Sequence, residues 1–590
     1  MLEPQSRLSI YDILRPPDGF ALDCLVVTTY SASLDTVLSL PAAMLVDASD
    51  SGKRRAGRVT AADLAALKRV CGRTAIFCQG AAIQPAELVP PAIIEAEEMV
   101  HEVSAPNGGS FHPKVWVMRF KHSEAKRSLL RVAIMSRNLT GDASWDAGVV
   151  LDSKSTLGTP KTNDLGVLLR LLPTRCVRPL DAGRRKLLFE LASEIEAVKW
   201  KMPAGTGTPT FHVVGNQVGS PWLQPKSKRL AIVSPFLTAS AIKDLGKSVD
   251  TIPLIVSRPD ALERCWQAVS GNADRKMVLA LPEIPTEGTR AMGLHAKFLI
   301  WESQAKVRIA VGSMNATSAA TSGRNVEFMV SFDCTAAIGE AGIDALLDPR
   351  SMGSVLADFE PDERNEPVPE PFDDRPARAY LLAAQLHLEC NLGASGWELS
   401  LTPRIAHTDI EALLPNLRFR PATLAGNRSG ACGTSLAAGK PARLPGTLEL
   451  AEITGFIVFE AETSSGPIAF ILNLEVRGVE DEARRHAALK ALIPDNRSFS
   501  DFLRGLLGDF TSLDAIDAAN GAAGQPTIWG PTNRSGILEM LISCAADNPA
   551  RLQSIEETLK AFSPEELEAV APLEFRELWL AILKMTRTKR

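Results

Sequence analysis

Residues 111–120 read FHPKVWVMRF, and His112 and Lys114 stand two apart at the head of this apolar run. A second stretch, LHAKFLIWE at 294–302, places His295 and Lys297 at the same spacing. Residues two apart on a strand point to the same face of a sheet, so we expect each pair to lie on a strand and project together. The chain has only eight histidines, so two matched pairs call for an explanation.

The segments around the two pairs follow the same order of elements, with a period of 183 residues from His112 to His295. In each copy a buried strand and a helix come first, and several strands follow. A repeat of this length duplicates a whole unit, unlike the short period of a solenoid. Alternating strands and helices predict an α/β sheet in each copy.

Downstream of each pair, a strand ends in a small polar turn that carries an asparagine, and an acid precedes the next strand. The order His, Lys, Ser, Asn, acid therefore occurs twice in the chain. A lone histidine in an apolar strand is more often a core residue, but two complete sets in the same order favour a functional site. Beyond the two pairs, the sets contain Ser136, Asn138 and Asp146 in the first copy, and Ser313, Asn315 and Glu327 in the second.

This pattern resembles the phospholipase D superfamily, whose repeated HxK and (G/S)xxN signatures match HPK with SRN and HAK with GSMN over residues 20–335. The resemblance implies one active site between two α/β halves related by pseudo-twofold symmetry. The family's aspartate five residues after each lysine is replaced here by Arg119 and Glu302. That departure is similar to the tyrosyl-DNA phosphodiesterases and nucleases of the superfamily. The implied catalytic residues are His112, Lys114, Asn138, His295, Lys297 and Asn315, with Ser136, Asp146, Ser313 and Glu327 in support.

These residue types also suit phosphodiester chemistry on physical grounds. A neutral imidazole can attack phosphorus and form a phosphohistidine, while a protonated imidazole donates to the leaving oxygen. Lysines and asparagines bind the phosphoryl oxygens with fixed donors, so we expect neither a metal nor a cofactor. The acids would each hold an imidazole in its useful tautomer. The resemblance favours His112 as nucleophile and His295 as acid and base.

The chain divides into four parts by its patterns. We predict a first half at 1–178, a second half at 179–357 and an acidic, proline-rich linker at 358–376. A C-terminal α+β module at 377–590, β-rich and then helical, would dock a substrate or a partner protein. No motif in it decides between these roles.

Composition limits the partners only loosely. A net charge of −5, from 64 basic and 69 acidic residues, excludes a generally basic surface but permits a local basic groove. Nine scattered cysteines suit a reducing compartment. Because neither a leader pattern nor a long apolar run is found, we expect a cytoplasmic protein without membrane contact.

The leading hypothesis from sequence is a metal-independent nuclease, with DNA favoured over RNA as the substrate, in restriction or phage defence by family analogy. A phospholipid head-group hydrolase or transferase is an alternative of the same chemistry. A non-catalytic subunit that binds nucleic acid through the same pocket is an alternative of another class. DNA or RNA, strandedness and the nucleophilic histidine stay open at this level.

Overall fold

The computed structural model places most of the chain. The residues it describes are 9–45, 61–86, 89–122, 124–142, 144–156, 159–217, 222, 224–280, 293–304, 306–339, 341–361, 373–406, 408–463, 466–507, 540–542, 544 and 549–588. The predicted linker at 358–376 lies largely outside these ranges.

The first half carries one of the two large sheets. Its strands are β1 (Phe20–Thr29), β2 (Ala32–Ser33), β3 (Thr74–Gln79), β4 (Ile83–Gln84), β5 (Val100–Val103), β6 (Val115–His122), β7 (Ser128–Met135), β8 (Ser144–Trp145), β9 (Gly148–Thr156) and β10 (Val198–Lys201). Its helices are α1 (Ile10–Leu14), α2 (Leu34–Leu45), α3 (Ala61–Val70), α4 (Asp164–Arg175) and α5 (Ala182–Glu196), with 3-10 turns at Cys71–Arg73, Pro91–Ala96 and Pro106–Gly108.

The second half carries the other large sheet. Its strands are β11 (Thr210–Val214), β12 (Ser227–Val233), β13 (Val249–Val256), β14 (Ala273–Leu279), β15 (Gly293–Leu294), β16 (Phe298–Glu302), β17 (Val307–Gly312), β18 (Glu327–Asp333) and β19 (Leu356–Asp358). Its helices are α6 (Ala239–Gly246), α7 (Pro259–Arg264), α8 (Trp266–Ser270), α9 (Ser318–Thr321) and α10 (Thr335–Ile338), with 3-10 turns at Gly342–Leu347 and Met352–Val355.

The two large sheets share a core of six strands in the same order, and they differ at their edges, where β10 follows its core in the chain, β11 precedes its core and β19 has no counterpart. The first runs β10-β9-β7-β6-β1-β3-β5, and the second runs β11-β18-β17-β16-β12-β13-β14-β19. In each, the first long strand pairs in parallel with a second strand, and that strand pairs in parallel with a third. On its other side, the first long strand pairs antiparallel with the strand that follows the HxK pair. The predicted α/β fold of two similar halves is confirmed. Strand β10 extends the first sheet past residue 178, where the sequence pattern places the boundary.

Alternating side chains on these strands build separate cores on the two faces of each sheet. On β1, Val26 enters a core shared by the two halves, while Leu25 and Val27 enter a core on the opposite face. On β16, Ile300 joins the shared core and Leu299 packs beneath the helices of the second half. This is the two-residue period of a strand buried on both faces. The shared core therefore fixes the two halves against each other.

The third region contains strands and then helices. Its strands are β20 (His387–Gly393), β21 (Gly396–Thr402), β22 (Arg418–Pro421), β23 (Gly430–Ala431), β24 (Ala442–Arg443), β25 (Phe456–Thr463), β26 (Gly466–Asn473) and β27 (Glu475–Arg477). Its helices are α11 (Arg375–Ala383), α12 (Ile410–Leu413), α13 (Gly433–Ala437), α14 (Asp481–Leu492), α15 (Asn496–Leu507), α16 (Pro549–Leu559), α17 (Pro564–Val570) and α18 (Leu573–Thr588), with 3-10 turns at Gly426–Arg428 and Leu450–Glu452.

The third region is joined to the first half by a common sheet and a common core. A six-stranded sheet runs β2-β4-β26-β25-β22-β23 and so includes two short strands of the first half. The buried Arg484 donates hydrogen bonds to both carboxylate oxygens of Glu97, at 2.9 and 3.1 Å. Glu102, also buried, accepts from the backbone N–H of Asn473 at 3.0 Å. These contacts hold the third region in one orientation on the first half.

The end of the chain shows where local signals act. Ser563 and Glu566 form the capping box predicted from the sequence, with Pro564 in the first turn of α17. The helix stops at Val570 and a second one starts at Leu573, because the residue before Pro572 is pushed out of the helical conformation. Within the described ranges, no helix is both long enough and apolar enough to cross a bilayer.

Candidate active site

Each HxK pair lies just before a strand instead of on it. Strand β6 begins at Val115 and β16 begins at Phe298, one residue after Lys114 and Lys297 respectively. The predicted placement of both pairs on strands is therefore wrong. In the first copy, Pro113 has no N–H to give to a ladder. In both copies the segment is bonded to the opposite half instead.

The backbone of each half crosses to the other at this point. His295 N donates to the carbonyl of Trp145 at 2.9 Å, where β15 pairs in parallel with β8. In the other direction, His112 N donates to the carbonyl of Val326 at 2.8 Å, and Val326 N donates to the carbonyl of Ser110 at 2.9 Å. The segment at each histidine is thus bonded to the segment that precedes the acid of the opposite half.

The first histidine is paired with the second half's acid. His112 Nδ1 donates to Glu327 Oε2 at 2.8 Å; the His112 side chain is 13% exposed and that of Glu327 is fully buried. Because an ionised carboxylate only accepts, Nδ1 carries the proton and Nε2 keeps its lone pair. Asn325 Nδ2 donates to the other carboxylate oxygen at 3.2 Å. Glu327 is therefore enclosed and satisfied on both oxygens.

The second histidine is paired with the first half's acid. His295 Nδ1 donates to Asp146 Oδ1 at 3.1 Å, and the two side chains are 23% and 18% exposed. Asp146 Oδ2 accepts from Ser144 Oγ at 3.3 Å and lies 3.6 Å from a guanidinium nitrogen of Arg137. This pair has the same geometry as the first, but it is more open to solvent.

The environment sets the charge state of these pairs. Burial lowers the pKa of His112 to about 4 even though Glu327 acts in the opposite direction. Burial also lowers the pKa of His295, and the hydrogen bond to Asp146 opposes it. Burial alone would raise the pKa of Glu327, but the contact with His112, the charge of Lys114 and the hydrogen bond from Ser313 outweigh burial and lower it. At neutral pH, His112 is therefore a neutral imidazole beside an ionised carboxylate.

The two serines brace the acids within their own halves. Ser313 Oγ donates to Glu327 Oε2 and accepts from Phe328 N at 2.9 Å. Ser136 Oγ donates to Asp146 Oδ1 at 3.2 Å and accepts from Ala147 N at 2.9 Å. Each hydroxyl thereby fixes its acid to the first residues of the following strand.

The two lysines lie beneath the histidines and are almost completely buried. Lys114 Nζ donates to the carbonyl of His112 at 3.1 Å, and Lys297 Nζ donates to the carbonyls of His295 at 2.8 Å and Ser136 at 3.3 Å. Burial lowers the pKa of Lys297 to about 7. Burial, followed by the charge of Lys297, holds the pKa of Lys114 well below its usual value. Burial and mutual repulsion thus disfavour the charge on both lysines, and a bound anion would favour it.

The asparagines stand at the turns that follow β7 and β17. Asn138 Oδ1 and Asn315 Oδ1 are buried, and neither has a hydrogen-bond partner in the part of the chain that the structure describes. These two amide oxygens are thus uncommitted to that part of the protein. A lack of protein partners is expected of buried polar groups that bind a ligand.

Two hydroxyls that the sequence analysis missed hold these turns. Thr29 Oγ1 accepts from Leu139 N at 3.0 Å, and Ser234 Oγ accepts from Ala316 N at 2.9 Å. They lie at the ends of the equivalent strands β1 and β12. A small hydroxyl residue at the end of the first strand in each copy is a signal that could have found them.

The residues that replace the family's aspartates have structural partners. Arg119 donates at 2.6 Å to each of two carboxylates, Asp23 and Glu194. Glu302 accepts from Arg229 at 3.1 Å and from the backbone N–H of Ile343 at 2.8 Å. Both positions therefore support the halves and stand apart from the histidine pairs. In the described ranges, no group of three or more His, Cys, Asp and Glu side chains is arranged to hold a metal ion.

No protein-family model matches the sequence, and no curated protein matches it. Among solved structures, polyphosphate kinase from Porphyromonas gingivalis aligns at a TM-score of 0.30 and 10% identity, over 63% of this chain and 50% of that one. Phosphatidylserine synthase from Haemophilus influenzae Rd KW20 aligns at 0.31 and 11% identity, over 59% and 84%. The chain thus spans about half the length of the kinase. Similarity this low assigns no role to the site, and its chemistry is argued from its own geometry.

Proposed function

We propose that this protein is a phosphodiesterase that cleaves nucleic acid through a covalent phosphohistidine. The observation that carries the proposal is the pair of crossed histidine–carboxylate contacts, His112 with Glu327 and His295 with Asp146, beside two buried lysines. Each contact fixes an imidazole tautomer, as the acid of a catalytic triad does. Two such imidazoles at one junction supply a nucleophile and a proton donor.

In the first step, Nε2 of neutral His112 attacks phosphorus. A P–N bond forms, the P–O bond to the leaving group breaks, and protonated His295 gives its proton to the leaving oxygen. Water then attacks phosphorus, the P–N bond breaks, and His295 accepts the proton of that water. His112 is assigned as nucleophile because its pair is the more enclosed one, whereas His295 must exchange protons with the medium.

The lysines and asparagines bind the phosphoryl oxygens in this proposal. An anion between Lys114 and Lys297 would offset their burial and keep both protonated, so binding of substrate and uptake of protons are coupled. Asn138 and Asn315 add neutral donors from the turns on either side. The nucleic-acid substrate rests on the HxK and asparagine pattern, which resembles nucleases. A role in restriction or phage defence is part of the proposal on the same analogy.

The test is cleavage of labelled single- and double-stranded DNA and RNA by full-length protein in excess EDTA. We expect cleavage of at least one polymer by the wild type, and loss of it in His112→Ala and in His295→Ala. Arg350→Gln, which removes an exposed arginine paired with Asp348, serves as the matched control. Release of head groups from phospholipid vesicles without cleavage of any polymer would reject the nuclease and favour the lipid enzyme. Cleavage that survives both histidine variants would reject the mechanism.

A further inference from the structure

Among the described residues, an aromatic side chain lies against His112, and none lies against His295. The ring centroid of Tyr30 is 5.3 Å from that of His112, at an interplanar angle of 56°. The hydroxyl of Tyr30 has no hydrogen-bond partner among the residues that the structure places. In the second half, Pro235 takes the equivalent position, because Thr29 and Ser234 match through their bonds to the asparagine turns. Tyr30 thus distinguishes the His112 side of the site.

The third region reaches this side through helix α11. Leu382 packs against Gly80 at the end of β3, and Arg378 donates to the carbonyl of Ala81. Burial raises the pKa of the Tyr30 hydroxyl, and the nearby charges of Arg378, Asp374 and Arg375 also act on it. The first turn of α11 therefore lies beside Tyr30 at the carboxyl ends of the parallel strands, where open α/β sheets bind ligands.

At the start of α11, Arg375 and Asp373 form an ion pair. Arg375 donates to the two oxygens of Asp373 at 2.6 and 2.8 Å. The hydrogen bond from Arg375 lowers the pKa of Asp373, and the charge of Arg324 adds to the effect. Gly109, in the segment that leads to His112, lies close to the backbone of Arg324. A Cβ on Gly109 would come within 1.9 Å of the Arg324 carbonyl oxygen. The ring of Tyr30 packs against His112, and the backbone of Arg324 and the first turn of α11, which carries Arg375, lie on the same side of the site.

We propose that Tyr30, Arg324 and Arg375 form a nucleotide subsite beside His112. In it, the two guanidinium groups bind the phosphate next to the scissile one, and the Tyr30 ring stacks on a base. This inference rests on the proposed nuclease function and names the part of the substrate that the third region helps to bind. A guanidinium fork matches the geometry of a phosphate, and every base offers a face for stacking.

Asp373 takes the place of that phosphate in the free protein. The side chains of Arg375 and Asp373 are 57% and 50% exposed, and an ion pair this exposed is weak. A nucleic-acid phosphate therefore displaces Asp373 at little cost. Removing the carboxylate should strengthen binding, whereas removing the arginine should weaken it.

The experiment measures binding of a fluorescent single-stranded oligonucleotide to the full-length protein over a series of salt concentrations. Tyr30→Ala should weaken binding about tenfold, and Tyr30→Phe should keep it, since a phenyl ring still stacks. Arg375→Gln and Arg324→Gln should each weaken binding severalfold and reduce the slope of log affinity against log salt by about 0.7. Asp373→Asn should tighten binding about threefold.

The chain offers a matched control pair outside the site. Asp348 and Arg350 have the same spacing and the same two-pronged contact as Asp373 and Arg375. Arg350→Gln and Asp348→Asn should leave affinity and salt slope unchanged. Equal effects of the Arg350 and Arg375 variants, or unchanged binding in Tyr30→Ala, would overturn the subsite.

Binding and cleavage separate this inference from the function on which it rests. If the wild type binds the oligonucleotide with the predicted pattern of variants but cleaves no polymer, the subsite stands and the nuclease proposal fails. If the wild type cleaves but the variants bind as it does, the subsite fails and the nuclease stands. Absence of oligonucleotide binding to the wild type would reject the subsite directly.

Discussion

His112 and His295 each donate from Nδ1 to a carboxylate of the opposite half, yet their surroundings differ. Glu327 is sealed from solvent, whereas Asp146 is partly open and has an arginine beside it. An aromatic ring lies against His112, and the equivalent position near His295 is a proline. In the proposed mechanism, these different surroundings give a duplicated geometry two chemical roles, in the way that two carboxylates of one enzyme can act differently.

Removal of each histidine in turn is the most direct test of whether the two have different roles. We expect roughly 10⁴-fold loss of kcat in both His112→Ala and His295→Ala. Only His295→Ala should accumulate a phosphorylated protein. A good leaving group needs little help from a proton donor, so loss of His295 slows the first step less than the attack of water in the second. The variants are incubated with an activated phosphodiester and quenched without acid, and mass spectrometry locates the modified residue. Phosphate on His295 in the His112→Ala protein would reverse the two roles.

The acids provide the next largest contrast. Glu327→Gln should lower kcat about 10³-fold, because a sealed amide can donate to Nδ1 and stabilise the wrong tautomer. Asp146→Asn should cost less, about 30-fold, since water can reach that pair and assist the imidazole. Steady-state kinetics on the same substrate measures both. An equal loss in the two variants would show that the difference in burial has no chemical consequence.

The pH profile of kcat/KM should report both halves. His112 acts as the neutral base, so activity rises as pH increases through about 4, its lowered pKa. His295 and Lys297 act protonated, so activity falls as pH increases toward and through about 7, the lowered pKa of Lys297. The optimum is therefore acidic. Asp146→Asn should move the falling limb to lower pH, because its hydrogen bond raises the pKa of His295.

The smallest predicted effect is one that the two halves should share. Thr29→Val and Ser234→Ala each remove a side-chain acceptor from the N–H of a buried turn, at a cost of about 1–3 kcal/mol. The N–H of Leu139 keeps a longer contact with the carbonyl of Ser31, at 3.2 Å, so the cost in the first half should lie at the lower end. Amide exchange at Leu139 and Ala316 should accelerate about tenfold or more in the respective variants. Ser303→Ala, in an exposed turn, is the control. A response in one half alone would show that the asparagine turns are not equivalent.

Much of the fold was readable from periodicity. The strands and helices of both halves follow their apolar patterns, and the duplication predicted matching sheets, because alternate faces of each strand must be buried. The strand placement of the HxK pairs failed because Pro113 and the bonds to the opposite half override the apolar run. The fixed contact of the third region also escaped prediction, since Arg484 and Glu97 are nearly 400 residues apart in the chain.

The residue pattern was enough to predict the α/β class, the two-copy order of His, Lys, Ser, Asn and acid, and the residues that meet between the halves. These follow from short-range spacing, because the geometry of a strand or turn sets the direction of each side chain. Tertiary contacts pair each acid with the histidine of the opposite half. They also seal one pair and leave the other open, and they place Tyr30 and α11 beside His112. Burial and pairing between distant segments depend on how whole sheets pack, and no local pattern encodes that.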